Sequence, residues 1–315
     1  MTNITCGVDV SSATLDAHVA PDAWRRFANS AEGVAGLAAF CKQRGVGLVA
    51  MEATGGYERL PFALLWAAGV PAALVNPRQV RRLAEAMGLL EKTDRIDAGV
   101  IARFAEARRL VAQPQPPASG TQRRLAALVT RLRQLTALRV AQANQRRLAD
   151  EPEVLASIDA VLALVARQTR GLEGRIAALI GEDPLWRALD AAFRAVKGVA
   201  GRTVARLLAE LPEVGTLSGK AVAKLAGLAP IARDSGKRAG RRPVRGGREG
   251  VRSILVVVAG VVRRHDPDVR AFHRKLIDAG KPAMVVRVAL ARKLLVRLNA
   301  KARDARRGLE LARAA

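Results

Sequence analysis

Four carboxylates stand out by type and position: Asp9, Glu52, Asp94 and Asp97. Asp94 and Asp97 lie three residues apart in Lys92-Thr93-Asp94-Arg95-Ile96-Asp97-Ala98. Ile96, Val100, Ile101, Phe104 and Ala105 follow helical spacing there, so both carboxylates leave one helix face. Two readings fit the pair. Asp is favoured at a helix start by capping and the helix dipole. Alternatively, like charges this close call for a cation between them. Asp9 and Glu52 each sit at the end of an apparent strand, and they add weight to the second reading.

Cations carry a second chemistry. Arg233, Lys237, Arg238, Arg241, Arg242, Arg245, Arg248 and Arg252 crowd one stretch, against Asp234 and Glu249. Gly236, Gly240, Pro243, Gly246 and Gly247 prevent a continuous helix, so the stretch reads as a basic loop suited to a phosphate backbone. Ser235 stands in it between Asp234 and Gly236, and alone it reads as a turn residue. Upstream, Val196 to Ala205 reads as a helix, a glycine hairpin and a second helix. Gly198 and Arg202 there can meet a phosphate through backbone N–H groups and a cation, although any helix–turn–helix packing needs similar glycines. Gly215 to Ala221 is one residue short of a P-loop and ends in Ala221 where Ser or Thr is needed, which excludes nucleoside triphosphate binding.

The elements that must hold these residues follow from pattern. Ile4 to Val10 reads as a buried strand, with Leu15 to Ala20 and Trp24 to Ala28 as the next two. Asn29-Ser30 caps a helix through Arg44, and Val46 to Met51 is a strand followed by Glu52. A helix from Tyr57 to Ala68, a strand from Pro71 to Val75 and a helix opened by Asn76-Pro77 come next. Antiparallel strands followed by strands alternating with helices predict an α/β layer fold. Pro114, Pro116 and Pro117 mark a linker. Beyond it, Leu125, Leu128, Leu132 and Leu135 are spaced as a helical seam. After Pro152, Leu155, Ile158, Leu162, Val165, Thr169, Leu172, Ile176 and Leu179 keep alternating three-and-four spacing. That predicts a coiled-coil seam, joining protomers or packing as a hairpin on its own chain. Ile254 to Val262 and a closing helix from Val285 to Leu298 belong to a mainly α remainder. The boundaries expected are 1–112, 113–181 and 182–315.

Formal net charge is +25 over 315 residues. Residues 1–110 hold 13 basic and 11 acidic side chains, whereas residues 182–315 hold 30 and 12. The excess implies a polyanionic partner, nucleic acid first, gripped mainly by the C-terminal part. Aromatics are 3% of the chain, which argues against a base-stacking surface. No run of eighteen apolar residues is present, so no membrane span is expected. No signal-peptide pattern is visible, and the two cysteines make no framework, which fits a reducing cytoplasm.

Gly7-Val8-Asp9-Val10-Ser11, Leu15-Asp16, Glu52-Ala53-Thr54-Gly55-Gly56-Tyr57, Asn76-Pro77 and the block from Lys92 to Ala98 resemble the DEDD insertion-sequence transposases. So do Gly198-Val199 with Thr203, Ala226-Gly227-Leu228-Ala229-Pro230, Asp234-Ser235-Gly236-Lys237 and Arg292-Lys293-Leu294-Leu295, so that the resemblance spans nearly the whole chain. Arg248 stands where that family often has Asn. The resemblance implies an RNase H-like (RuvC-like) N-terminal domain and a C-terminal transposase domain; with the spacings above, the fold expected adds a helical coiled-coil middle segment and makes the C-terminal domain mainly α with a helix-hairpin-helix-like motif. It implies that Asp9, Glu52, Asp94 and Asp97 bind Mg²⁺ or Mn²⁺, for which carboxylate oxygens are suitable donors. It assigns Ser235 as a nucleophile forming a covalent phosphoserine, which would make ATP unnecessary. Target and donor DNA, a guide (bridge) RNA and a homo-oligomer, dimer or tetramer, are the partners it implies, in the bacterial cytosol at the nucleoid. The function expected is an insertion-sequence transposase or recombinase. Its alternatives are a RuvC-like nuclease or junction resolvase that leaves Ser235 idle, and a non-catalytic nucleic-acid-binding protein. Four grouped acids would repel the ligand of a plain binder.

Overall fold

A computed structural model describes residues 4–89, 91, 93–108, 116–232, 240 and 242–314. The chain divides into two units, Met1–Ala118 and Ser119–Ala315. In the first, β1 (Ile4–Val10), β2 (Thr14–Val19) and β3 (Ala23–Ala28) form an antiparallel meander. Ser11 tightens the first turn by accepting from the Thr14 amide at 2.8 Å. Then α1 (Ala31–Gln43) leads to β4 (Val46–Glu52), parallel to β1, and α2 (Arg59–Ala67) leads to β5 (Ala72–Val75), parallel to β4. Parallel neighbours cannot be joined by a tight turn, so each return is made through a helix. The sheet order is β3-β2-β1-β4-β5. α3 (Pro77–Ala86) and α4 (Asp94–Ala107) complete the unit.

Side-chain alternation divides the sheet into two cores. Cys6, Val8, Val10, Leu15, Ala17, Val49 and Met51 pack with α1 and α2. On the other face, Leu48, Ala50 and Val75 pack with Val80 and Ala84 of α3 and Val100, Ile101, Phe104 and Ala105 of α4. Thr5, Gly7 and Asp9 are the β1 residues of that second face. Gly7 decides how close α4 comes: a Cβ there would sit 1.9 Å from the Ala98 carbonyl oxygen and 2.4 Å from the Ala102 amide nitrogen. Beside it, the Thr5 hydroxyl donates to Glu106 Oε1 at 2.6 Å. α4 therefore runs antiparallel along β1, with Glu106 at Thr5, Ala98 and Ala102 at Gly7, and its N-terminus toward Asp9.

The second unit is helical: α5 (Gly120–Arg146), α6 (Pro152–Glu182), α7 (Pro184–Arg194), α8 (Gly201–Glu210), α9 (Gly219–Leu225), α10 (Glu249–His265), α11 (Pro267–Asp278) and α12 (Ala283–Ala314). Proline occupies the first turn of α6, α7 and α11, where no amide donor is needed. Leu125, Val129, Leu132, Ile176 and Leu179 share one core with Phe193, Leu207, Leu255, Leu294 and Leu298. The predicted seam lies in α6, which packs on α5 of the same chain as a helical hairpin. Ile158, Val165, Ile176 and Leu179 are buried, and Arg146 and Asp159 pair at 2.6 Å near the turn. Leu148 at that turn is 88% exposed. α9 and α11 exceed the sequence expectation. In α11, Val269 is buried, and Phe272 and Leu276, one and two turns on, pack half-buried against the same core. Among the described residues, no helix is long and apolar enough to cross a membrane.

Candidate active site

The ladder of the sheet gathers the acids. Asp9 on β1 faces Asp16 on β2, and Asp16 faces Arg26 on β3. On the other side of β1, Asp9 and Glu52 each follow the last paired residues of the parallel ladder, Val8 and Met51. Cross-strand neighbours project from the same face. Glu52, Asp9, Asp16 and Arg26 thus form one row over four adjacent strands, on the face that α4 covers.

The N-terminus of α4 meets this row. Its cap is Thr93, whose hydroxyl accepts from the Ile96 amide at 3.2 Å. The capping that Asp could have supplied is therefore done by Thr93, and the Asp94 side chain is directed elsewhere. Asp94 Oδ2 accepts from Arg26 Nη2 at 2.8 Å. The same guanidinium donates through Nε to both oxygens of Asp16, at 3.0 and 3.2 Å. Asp16 is 2% exposed. Burial first, and then the negative fields of Asp97 and Asp94, raise the pKa of Asp9 above its ordinary value. Asp9, Asp94 and Asp97 are thereby brought together, with Asp16 adding to the same field.

Two loops border the row, and polar side chains fix both: the buried Glu58 and the half-buried Asn29. Glu58 accepts from the Thr54 and Gly56 amides at 3.0 and 2.9 Å, which shapes the turn after Glu52. Asn29 donates to the Ser11 and Tyr57 carbonyls at 2.8 and 3.2 Å, tying the turn after β1 to that loop. His18 lies opposite Gly7 on β2, and burial lowers its pKa. Sequence reasoning assigned no site role to Asp16, Arg26, Glu58 or Asn29. The available signal was Asp16 itself, a charged residue inside the apolar strand Leu15-Asp16-Ala17.

The basic candidates of the second unit are placed differently. Ser235, Arg233, Lys237, Arg238 and Arg241 lie outside the described residues, as does Lys92 of the α4 block. The base of their loop is described: Pro230 and Val244 form an isolated bridge, and the Ile231 amide donates to the Pro243 carbonyl at 3.1 Å. Gly227 and Gly247 cross so closely that a Cβ on Gly247 would lie 2.2 Å from the Gly227 nitrogen. Arg242 and Arg245 are exposed at this base. Arg248 is engaged inside the protein, both Nη atoms donating to Glu213 at 2.5 and 2.6 Å. Burial of Glu213 opposes that pairing, yet the Arg248 fork leaves its pKa lowered. Arg202 forms an ion pair with Glu173. Gly198 has φ +99°, and a Cβ there would stand 3.1 Å from the Val262 nitrogen, so the hairpin glycine serves close packing on α10.

By donor type, the acidic row fits a hard divalent cation: carboxylate oxygens are gathered until burial and mutual repulsion raise one of them. Among the described residues, no group of three His, Cys, Asp or Glu side chains closes to metal-holding distance. Asp94 rests on Arg26 instead.

Residues 6–149 match the family model described as a transposase, the DEDD transposase of IS110. Residues 190–274 match the model of the transposase IS116/IS110/IS902 family. The chain is also similar to the pilin gene-inverting protein of Moraxella bovis, 26% identical over 313 residues and covering 94% of each chain. The protein of the same description from Moraxella lacunata is 25% identical over 313 residues, again with 94% of each chain covered.

Proposed function

The chain belongs to the IS110/IS116/IS902 family of transposases, and from that premise we propose that this DNA recombinase cuts and rejoins DNA through a divalent-metal carboxylate site and a covalent phosphoserine. The observation that carries the reading is the row under α4, where Asp9, near the end of β1, meets the fields of Asp94 and Asp97 beside Glu52 at the end of β4. Asp9, Glu52, Asp94 and Asp97 are the residues that would hold Mg²⁺ or Mn²⁺. When bound, the ion supplies polarisation of the phosphodiester and offsets the charge that develops on it. The protein's own part is to hold the acids in register, through the β1–β2 and β1–β4 ladders and the close seat of α4. The order β3-β2-β1-β4-β5 supports an RNase H-like, RuvC-like reading of this unit.

Ser235 is assigned as nucleophile by the family resemblance. Its oxygen bonds to phosphorus, a sugar oxygen leaves with a proton, and the ester is kept for rejoining. The charge of residues 182–315 supports duplex DNA and a guide (bridge) RNA as ligands. The relatives named for pilin gene inversion support DNA rearrangement as the outcome. Exposed Leu148 and Val154 near the turn of the α5–α6 hairpin support self-association there, as a dimer or tetramer. The setting proposed is the bacterial nucleoid.

Ser235→Ala and Asp97→Asn test the two parts separately. Both should abolish strand exchange, while only Ser235→Ala keeps Mn²⁺ binding. A stalled reaction of the parent protein should leave DNA on a peptide containing Ser235, read by mass spectrometry after nuclease digestion. Cleavage by Ser235→Ala at the parent rate, without an adduct, would assign a hydrolytic nuclease instead.

A further inference from the structure

Arg26 has no part in the tetrad, yet it is the cation that the geometry places on it. Its Nε edge is fixed to the buried Asp16, its cross-strand partner, and its Nη2 reaches Asp94. Arginine can do this because its guanidinium offers separate donor edges in a rigid plane. Asp16 is itself the cross-strand neighbour of Asp9. Asp16 thus works as an anchor that keeps a positive charge beside the acids.

We propose that Arg26, anchored by Asp16, is a built-in counter-ion of the acidic site that competes with an incoming divalent cation for Asp94. The inference rests on the metal-site reading of Asp9, Glu52, Asp94 and Asp97. In the metal-free protein the guanidinium offsets part of the repulsion among gathered carboxylates. The same charge opposes a second cation, and the same hydrogen bond occupies a donor oxygen that the cation needs. Arg26 is accordingly a positioning residue with two effects of opposite sign: it stabilises the empty site and weakens metal affinity.

The opposite signs make the idea testable without an activity assay. Mn²⁺ binding to the full chain, free of DNA, is measured by calorimetry for the parent, Arg26→Gln, Arg26→Lys and Asp94→Asn. Arg26→Gln should bind Mn²⁺ on the order of tenfold tighter, since a unit charge a few ångströms away is removed. The melting temperature of its metal-free form should fall. Arg26→Lys keeps the charge but cannot hold Asp16 and Asp94 by two edges at once, so a gain of about threefold is expected. If Arg26→Gln fails to fold, the lysine variant decides alone. Affinity equal to or below that of the parent in the folded variants would overturn the counter-ion role while leaving the metal site standing. A parent protein that binds no Mn²⁺, with Asp94→Asn indistinguishable from it, would instead remove the metal reading and this inference with it.

Discussion

The two units treat charge in opposite ways. The first is nearly neutral over residues 1–110, with 13 basic and 11 acidic side chains, yet it concentrates like charges at one point. The second carries most of the excess, yet many of its cations are spent on its own acids: Arg248 on Glu213, Arg202 on Glu173, Arg297 on Asp266 and Arg146 on Asp159. A local cluster of one sign is costly to fold and has to be held by packing. A diffuse excess can be trimmed pair by pair. Net charge therefore points to the class of partner, whereas the pairing separates cations that hold the fold from cations that remain at the surface.

The sharpest way to break this contrast is at Gly7. Gly7→Ala places a Cβ against the backbone of α4, which cannot move aside as a side-chain tip would. A loss of about 3 kcal/mol or more is expected in thermal unfolding of the first unit. A loss under about 1 kcal/mol would mean that α4 is not seated where the acids need it. The second unit should be most sensitive along its hairpin. Ile176→Ala should cost about 2–4 kcal/mol by chemical denaturation, whereas Leu148→Ala, at the exposed turn, should stay within about 0.5 kcal/mol. If Leu148→Ala nevertheless lowers the mass measured by light scattering, the turn is a contact between copies.

Smaller effects sharpen the division among the cations. Glu213 titrates below its ordinary value in the folded protein. Its contribution is full above the unfolded value and is lost as pH falls through the folded one. Glu213→Gln should flatten the decline in urea-unfolding stability that sets in as pH falls below about 4.5. Arg248→Ala should cost about 1–2 kcal/mol because it leaves Glu213 half-buried and unpaired. Arg245→Ala should leave stability within about 0.5 kcal/mol. If Arg245 meets a phosphate, its removal should lower the slope of log affinity against log salt on duplex DNA by about 0.9. A slope change for Arg248→Ala as large as that for Arg245→Ala would erase the distinction between paired and surface cations.

Much of the first unit is legible in the sequence because its signals are local. Short apolar runs mark β1, β4 and β5, Leu15-Asp16-Ala17-His18-Val19 alternates in β2, Ser30 and Asn76 mark helix starts, and Asp9 and Glu52 declare themselves at strand ends. Asp16 and Arg26 were not legible as site residues, because their meaning depends on which residue stands opposite which across the ladder. In the second unit, the spacing of Leu155 to Leu179 announces an apolar stripe but not the helix that covers it, and α5 of the same chain does so. Arg248 looked like one more cation of a basic loop. Its partner, Glu213, is 35 residues away, beyond anything that local pattern can report.

The missing side chain at Gly7 also bears on dynamics. Where backbone meets backbone, with Thr5 and Glu106 bonded just beyond, no compressible layer separates β1 from α4. A helix seated this way has no intermediate position: it is on the strand, or it is off and both backbones are wet. The amides of β1 and α4 should then exchange with solvent in a single opening event, with one free energy for both elements. Any ligand that bridges Asp9 and Asp97 would slow that event for the whole pair. Protection spread along α4 as far as Glu106 would report what happens at its first turn.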